Sequence, residues 1–175
     1  RPLVLGGEDL TLILRADCAL AFARAYMEAF ECESRQRLVQ LKLQCPQLSE
    51  LPEVFTACAG VAFVKAHHPF HMAYALCDSM CKAAKDRVKS LDAAAPSSAI
   101  VFGRVTSSLF DDYRNTFTVV GSGLAALTLG AYAVGQRPSP LPRLDKLLDY
   151  RSLLASPEFA RGPLRELLRL AAAEP

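Results

Sequence analysis

The chain has 175 residues, of which 51% are hydrophobic and 22% are charged, and its formal net charge is +2. This length suits one domain, or one domain with an appendage, and the residue balance is that of a soluble globular protein. A disordered chain is thereby excluded. The small net charge gives no bulk attraction to nucleic acid or membranes, and no apolar run reaches the ~18 residues of a membrane span.

The start of the sequence and the cysteines bear on the cellular compartment. The chain opens at Arg1 without an initiator methionine, a polar leader or a signal peptide, which indicates a piece of a longer polypeptide. We expect buried, reduced thiols in a cytoplasmic protein, because the cysteines are widely spaced and contain no CxxC pair. There are six of them: Cys18, Cys32, Cys45, Cys58, Cys77 and Cys81.

The first segment predicts a β-hairpin. Two short apolar runs flank the turn Gly6-Gly7-Glu8-Asp9, and the two glycines supply the positive φ that a tight hairpin turn needs. Glu8 and Asp9 stand side by side with no cation next to them in sequence. Two such carboxylates form a hard-oxygen site, which Mg²⁺ occupies when nucleotide phosphates complete its coordination. The alternative is a surface hairpin with a solvated acidic turn.

An amphipathic helix is predicted next, over residues 16–32. Leu20, Ala23, Met27 and Phe30 fall on one stripe at helical spacing, while charged residues, Glu31 among them, lie off it. The polar stretch that follows the helix is predicted to contain at most one further helical turn.

A strand, a helix and a second strand come after this. Residues 55–64 are apolar and rich in β-branched and aromatic side chains, which predicts a central strand covered on both faces. The helix is predicted over residues 71–89 and the second strand over residues 99–106. The inner face of the helix is predicted to hold Ala73, Leu76, Cys77, Met80, Ala84 and Val88.

The remainder of the chain is predicted to be mainly helical, with glycine-containing apolar runs that suit loops or edge strands. The order of elements predicts an α+β fold. It fits the later part of a ferredoxin-like palm, with helices on one face, whose first strand and helix are missing here. We therefore predict a partial palm domain over residues 1–108 and a mainly helical C-terminal extension over residues 109–175.

The hairpin also carries a family resemblance. The string Gly6-Gly7-Glu8-Asp9-Leu10, followed by a strand and a helix, resembles the signature hairpin of GGDEF-type nucleotide cyclases. It is more similar still to the palm of the large polymerase/cyclase subunit of type III CRISPR effector complexes. Later segments resemble that subunit in the same order: residues 58–62, 65–70 and 83–85, then 97–102 and 127–132, and finally 163–168.

The resemblance implies a nucleotidyltransferase chemistry. Two ATP molecules bind in such a palm, and the acidic hairpin holds Mg²⁺ or Mn²⁺. A 3′-hydroxyl attacks an α-phosphate, pyrophosphate leaves, and repetition with ring closure yields cyclic oligoadenylate by two-metal catalysis. The implied partners are the other CRISPR effector subunits and, through the complex, guide and target RNA, with no membrane.

The resemblance also assigns roles to the hairpin residues. Glu8 and Asp9 would be the catalytic metal ligands, and Gly6 and Gly7 would let the nucleotide approach the backbone closely. The first acid is glutamate here, whereas the CRISPR-type hairpin normally carries two aspartates; GGDEF cyclases accept glutamate at that position. A further acidic ligand normally comes from a preceding strand that lies outside this chain.

Two nucleotide-binding residues are implied farther along. Lys85 matches a lysine that contacts the triphosphate, where a compact ammonium offsets phosphate charge. Without the resemblance, Lys85 is a solvated helix residue. Cys58 stands where a serine that contacts the base is usual in the family.

Two alternatives to a CRISPR-type cyclase stay open. One is a degenerate, catalytically silent palm that acts as a scaffold for subunits or RNA. The other is a GGDEF-type diguanylate cyclase, which would use GTP.

Three histidines and an acidic pair are weaker candidates. His67, His68 and His71 suit a turn and a helix entry better than a metal site, because no cysteine or acid stands at a matching spacing. Asp111 and Asp112 lie in a polar stretch without glycines, which indicates a solvated loop.

Overall fold

The computed structural model divides into two compact units, Arg1–Phe55 and Thr56–Pro175, each described by itself. The class is α+β, as predicted, with helices and a mixed three-stranded sheet. The predicted boundary after residue 108 lies outside the described residues and stays a prediction. The structure describes residues 1–7, 9–105, 118–120, 126–128, 130–157, 159–160, 162–163 and 165–166.

The first unit opens with the predicted hairpin. Strand β1 (Pro2–Gly6) pairs antiparallel with β2 (Asp9–Leu12), and Gly6 lies opposite Asp9. Of the two turn glycines, Gly7 alone has a positive φ, at 59°, whereas Gly6 is the last residue of β1. The prediction of a glycine turn between two apolar strands is therefore confirmed, with one of the two glycines supplying the left-handed conformation.

Helix α1 (Ala19–Gln44) is longer than predicted, because the polar stretch after residue 32 continues the helix. That stretch is rich in Arg, Gln, Leu and Lys, which are good helix formers. The helix ends just before Cys45-Pro46, where the proline restricts the preceding residue, and a short 3-10 turn follows.

The buried face of α1 differs from the predicted stripe. Met27 and Leu38 are buried, each 2% exposed, but the predicted Phe30 is 37% exposed and its neighbour Glu31 is only 3% exposed. A stripe drawn from apolar residues alone placed Glu31 on the outside. That placement is wrong, because the buried face includes Glu31 in place of its neighbour Phe30.

The second unit is built on a β-α-β motif. Strand β3 (Cys58–Phe63) leads through helix α2 (Phe70–Leu91) to strand β4 (Ser98–Arg104), and the two strands are parallel. Both strands and the helix lie where the sequence predicted them, within a few residues. Parallel strands need such a crossover, and a helix is its usual form.

Three shorter strands and a helix follow β4 in this unit. Strands β5 (Thr118–Val120) and β6 (Ala126–Thr128) pair with each other, whereas β7 (Tyr132–Val134) joins β4 antiparallel. Helix α3 (Leu144–Ala155) follows. The main sheet has the order β3-β4-β7, so β4 is its central strand. The prediction that β3 is central is wrong: all six of its residues are half-buried, and β4 alone pairs with it in the described part of the chain.

The core of the second unit lies between α2 and the sheet. Burial of a leucine, methionine or valine side chain in this core contributes about 1.5–3 kcal/mol to folding. The predicted inner face of α2 is largely confirmed, although Ala73 and Cys77 are half-buried. The buried members of this core are Leu76, Met80, Ala84, Val88, Ala99, Val101, Val105, Ala131, Ala133 and Leu141.

Gly60 stands in the middle of β3, where the strand meets α2. A Cβ at this position would meet the carbonyl oxygen of Cys77, and it would lie 2.8 Å from the amide nitrogen of Cys81. The absence of a side chain therefore sets how closely strand and helix pack.

A buried serine ties the start of β4 to the chain before β3. Ser98 is 0% exposed, and its hydroxyl accepts a hydrogen bond of 3.0 Å from the amide of Ala57. Ser98→Ala leaves this part-buried N–H without its acceptor, so we expect a loss of about 1–2 kcal/mol in the free energy of unfolding. Urea denaturation measures it. The control is Ser90→Ala, an exposed helix position expected to change stability by less than about 0.5 kcal/mol. Equal effects of the two changes would contradict the prediction.

The cysteines depart from expectation in one respect. All six are free thiols, but Cys18, Cys32 and Cys45 are exposed, so the expectation of burial is wrong for these three. Cys58, Cys77 and Cys81 are half-buried, and all three lie on β3 or α2.

Candidate nucleotide-binding site

The turn of the hairpin is open to an approaching ligand. A Cβ built at Gly6 or at Gly7 meets no heavy atom within 4 Å among the described residues. Both glycines are exposed, and the left-handed Gly7 directs the chain back into β2. The backbone at this turn can therefore be reached closely, as the predicted role of the two glycines requires. Glu8, the predicted first metal ligand, lies outside the described residues.

Asp9, the predicted second ligand, is the first residue of β2. It is exposed and lies opposite Gly6. No lysine or arginine in the described part of the chain pairs with it, so a ligand can approach its carboxylate without displacing a cation. The ion pairs that are described join Arg15 to Asp17, Arg24 to Glu28, Lys82 to Asp78, and Arg143 to Asp145.

Cys58 and Lys85, the two nucleotide-binding candidates of the second unit, lie near each other. Burial raises the pKa of the Cys58 thiol, as does the neighbouring Cys81, whereas the charges of Lys85 and Lys89 act to lower that pKa. Cys81, whose thiol donates to the carbonyl oxygen of Cys58 at 3.2 Å, stands one helical turn before Lys85 and two turns before Lys89. The β-α-β motif creates this proximity: Cys58 begins β3, and both lysines lie on the later turns of α2.

The neighbouring lysines of α2 differ in their partners. Lys82 binds Asp78, one turn earlier, at 2.7 Å, and this hydrogen bond raises the pKa of Lys82. Lys85 and Lys89 are exposed and form no ion pair among the described residues. An anionic ligand can therefore contact these two lysines without displacing a carboxylate.

Sequence reasoning missed two members of this group, Lys89 and Cys81. Lys89 stands one helical turn beyond Lys85. Cys81 stands one turn before Lys85, and its thiol donates to the carbonyl oxygen of Cys58 at 3.2 Å. The i,i+4 spacing around Lys85 was the signal that could have found both.

The weaker candidates gain no support. His67 and His68 lie in the turn before α2, where the amide of His68 donates to the carbonyl of Lys65, and His71 lies in the first turn of the helix. No group of three or more His, Cys, Asp or Glu side chains is arranged to hold a metal ion in the described ranges. Asp111 and Asp112 lie outside the described residues.

Comparison with known proteins found no matching family model, no matching curated protein and no matching solved structure. None of the described helices combines the length and the apolar character needed to cross a membrane. The fold is that of an α+β protein, with a glycine-acid hairpin in the first unit and a β-α-β motif in the second.

The lysines near Cys58 make a testable electrostatic prediction. A positive charge favours the thiolate over the neutral thiol, so Lys85→Gln is expected to raise the pKa of Cys58 further. Less thiolate is then present at a given pH, and Cys58 is alkylated more slowly by iodoacetamide. Rates measured across pH by peptide mapping test this. The control is Lys82→Gln, whose lysine is already paired with Asp78. Unchanged Cys58 reactivity in the Lys85 variant would contradict the prediction.

Proposed function

We propose that the chain is the later part of a ferredoxin-like nucleotidyltransferase palm, in the large subunit of a type III CRISPR effector complex. The observation that carries the proposal is the hairpin: Gly7 turns left-handed, Gly6 and Gly7 are open, and Asp9 faces no cation among the described residues. The ordered resemblance along the chain, stated above from the sequence, supplies the family.

The donor set of the hairpin fits a hard divalent cation. Carboxylate oxygens are the ligands that Mg²⁺ and Mn²⁺ prefer, and the exposed Asp9 offers them together with its neighbour in sequence, Glu8. When bound, such an ion neutralises phosphate charge and activates an attacking hydroxyl. The role of Glu8 and Asp9 is to hold that ion at the end of a short hairpin.

The other candidate residues bind and orient nucleotides, each within its own unit. Gly6 and Gly7 let phosphates approach the backbone, since no side chain stands in the way. In the second unit, Lys85 offsets triphosphate charge, and Cys58 occupies the position that contacts the base. The substrate is ATP, and the product is cyclic oligoadenylate.

A second candidate function, a catalytically silent scaffold, is favoured by a different observation. All five residues of β1 are exposed, with Leu5 77% exposed, and Leu43 near the end of α1 is 78% exposed. Exposed apolar side chains in such number on one unit are typical of a surface that binds another subunit. In this alternative the hairpin retains its shape without turnover.

Turnover of labelled nucleotide separates these functions. The protein, assembled with its proposed partner subunits and target RNA, is incubated with labelled ATP and Mg²⁺ or Mn²⁺, beside a Glu8→Ala/Asp9→Ala variant. Cyclic oligoadenylate from the unaltered protein and none from the variant supports the proposal. Equal, negligible turnover by both overturns it in favour of the scaffold. Cyclic di-GMP from labelled GTP would instead assign the protein to the diguanylate cyclases.

A further inference from the structure

Three half-buried cysteines lie along the contact between β3 and α2. Cys58 begins β3, while Cys77 and Cys81 stand one helical turn apart on α2. The thiol of Cys81 donates to the carbonyl oxygen of Cys58 at 3.2 Å. The carbonyl oxygen and the Cβ of one residue are roughly 3 Å apart. The Cys81 sulfur therefore lies within roughly 6 Å of the carbon that carries the Cys58 thiol.

The two backbones approach closely at the same place. Gly60 is two residues beyond Cys58, on the same face of β3, and a Cβ there would lie 2.8 Å from the amide nitrogen of Cys81. Cys58 and Cys81 thus sit on elements packed at close range. The two helical cysteines do not match a disulfide: residues i and i+4 have Cβ atoms about 5–6 Å apart, beyond the roughly 3.5–4.5 Å of a disulfide.

We propose that Cys58 and Cys81 form a reversible disulfide that ties β3 to α2 when the protein meets a low-molecular-weight disulfide such as oxidised glutathione. The thiolate of one cysteine attacks a glutathione sulfur, forms a mixed disulfide and expels one glutathione thiolate. The second cysteine thiolate attacks the protein sulfur of that mixed disulfide and expels the other glutathione. Two protein thiols are oxidised, one glutathione disulfide is reduced, and the two thiol protons end on the released glutathiones.

The bridge has a consequence for ligand binding. A disulfide would replace the Cys58 thiol, whose pKa the charges of Lys85 and Lys89 act to lower, with a neutral S–S bond. A nucleotide that contacts these three residues would then bind the oxidised and reduced forms differently. This consequence rests on the proposed function, whereas the bridge itself does not.

Peptide mapping tests the bridge without nucleotide. The full chain is equilibrated in a mixture of oxidised and reduced glutathione at mildly alkaline pH, because burial raises the pKa of Cys58 and exchange needs the thiolate. We expect a linked peptide pair joining Cys58 to Cys81, two hydrogen atoms lighter than the reduced peptides, which dithiothreitol separates. The link is lost in Cys58→Ser and in Cys81→Ser, and it is kept in the matched control Cys77→Ser.

Three outcomes would overturn the proposal. They are glutathione adducts without an internal bridge, a bridge from Cys58 to a cysteine other than Cys81, and links only between chains. The experiment on the unaltered chain settles the matter even where a serine variant does not fold. The nucleotidyltransferase proposal is tested separately by turnover, so either can fail while the other stands.

Discussion

Replacing Asp9 with asparagine is expected to lower metal-dependent nucleotidyl transfer about a thousandfold, provided that the protein acts as proposed. The amide keeps the size of the carboxylate but removes the charge that attracts a divalent cation. Metal stabilisation of a phosphoryl transition state contributes several kcal/mol, and a loss of about 4 kcal/mol corresponds to a thousandfold change in rate. The measurement is the steady-state rate of labelled ATP conversion at saturating Mg²⁺.

The matched control for this change is Asp17→Asn. Asp17 is exposed and belongs to the same unit as Asp9, but it already pairs with Arg15 at 2.7 Å. A surface pair of this kind contributes at most about 1 kcal/mol, so the control is expected to keep its activity. Equal rates for the Asp9 and Asp17 variants would show that the hairpin carboxylate plays no part in turnover.

Replacing Gly60 with valine is expected to lower the free energy of unfolding of the second unit by about 3 kcal/mol or more. The new side chain would fall on the backbone of α2, at the carbonyl oxygen of Cys77 and the amide of Cys81. Backbone atoms of a helix cannot turn aside as a flexible side chain can, so strand and helix must separate. Chemical unfolding and hydrogen exchange of the β3 and α2 amides measure the effect.

Gly130→Ala serves as the control for Gly60. A Cβ at Gly130, which belongs to the same unit, meets nothing within 4 Å in the described part of the structure. Its expected effect is below about 0.5 kcal/mol, as for most surface changes. If Gly60→Val were as stable as this control, the close approach of β3 and α2 would be refuted.

The elements that the sequence predicted best are those that local chemistry determines. The hairpin follows from two glycines between apolar runs, and α2 follows from its apolar stripe. The end of α1 was missed because its polar continuation lacks an apolar stripe yet is made of strong helix formers. The position of β3 was also missed: an apolar strand with one neighbour has the same composition as a central one, and only the pairing with β4 distinguishes them.

The residues of the candidate site also differ in how far the sequence could predict their placement. The exposure of Asp9 and the turn at Gly7 follow from the hairpin itself, so the sequence could indicate them. The grouping of Cys58 with Lys85 and Lys89 depends on the parallel crossover, which brings residues far apart in sequence together. The i,i+4 spacing links Cys81 and Lys89 to Lys85, but only the packing of β3 against α2 places Cys58 beside them.

Titration of the labelled chain with Mn²⁺, followed by amide NMR spectra, tests the hairpin most directly, because a bound paramagnetic ion broadens the signals of nearby nuclei. We expect the amide signals of Gly6, Gly7 and Asp9 to broaden first, and this early broadening to disappear in Asp9→Asn while it persists in Asp17→Asn. Broadening that begins elsewhere in the chain, or that is the same in both variants, would contradict a metal-binding role for the hairpin.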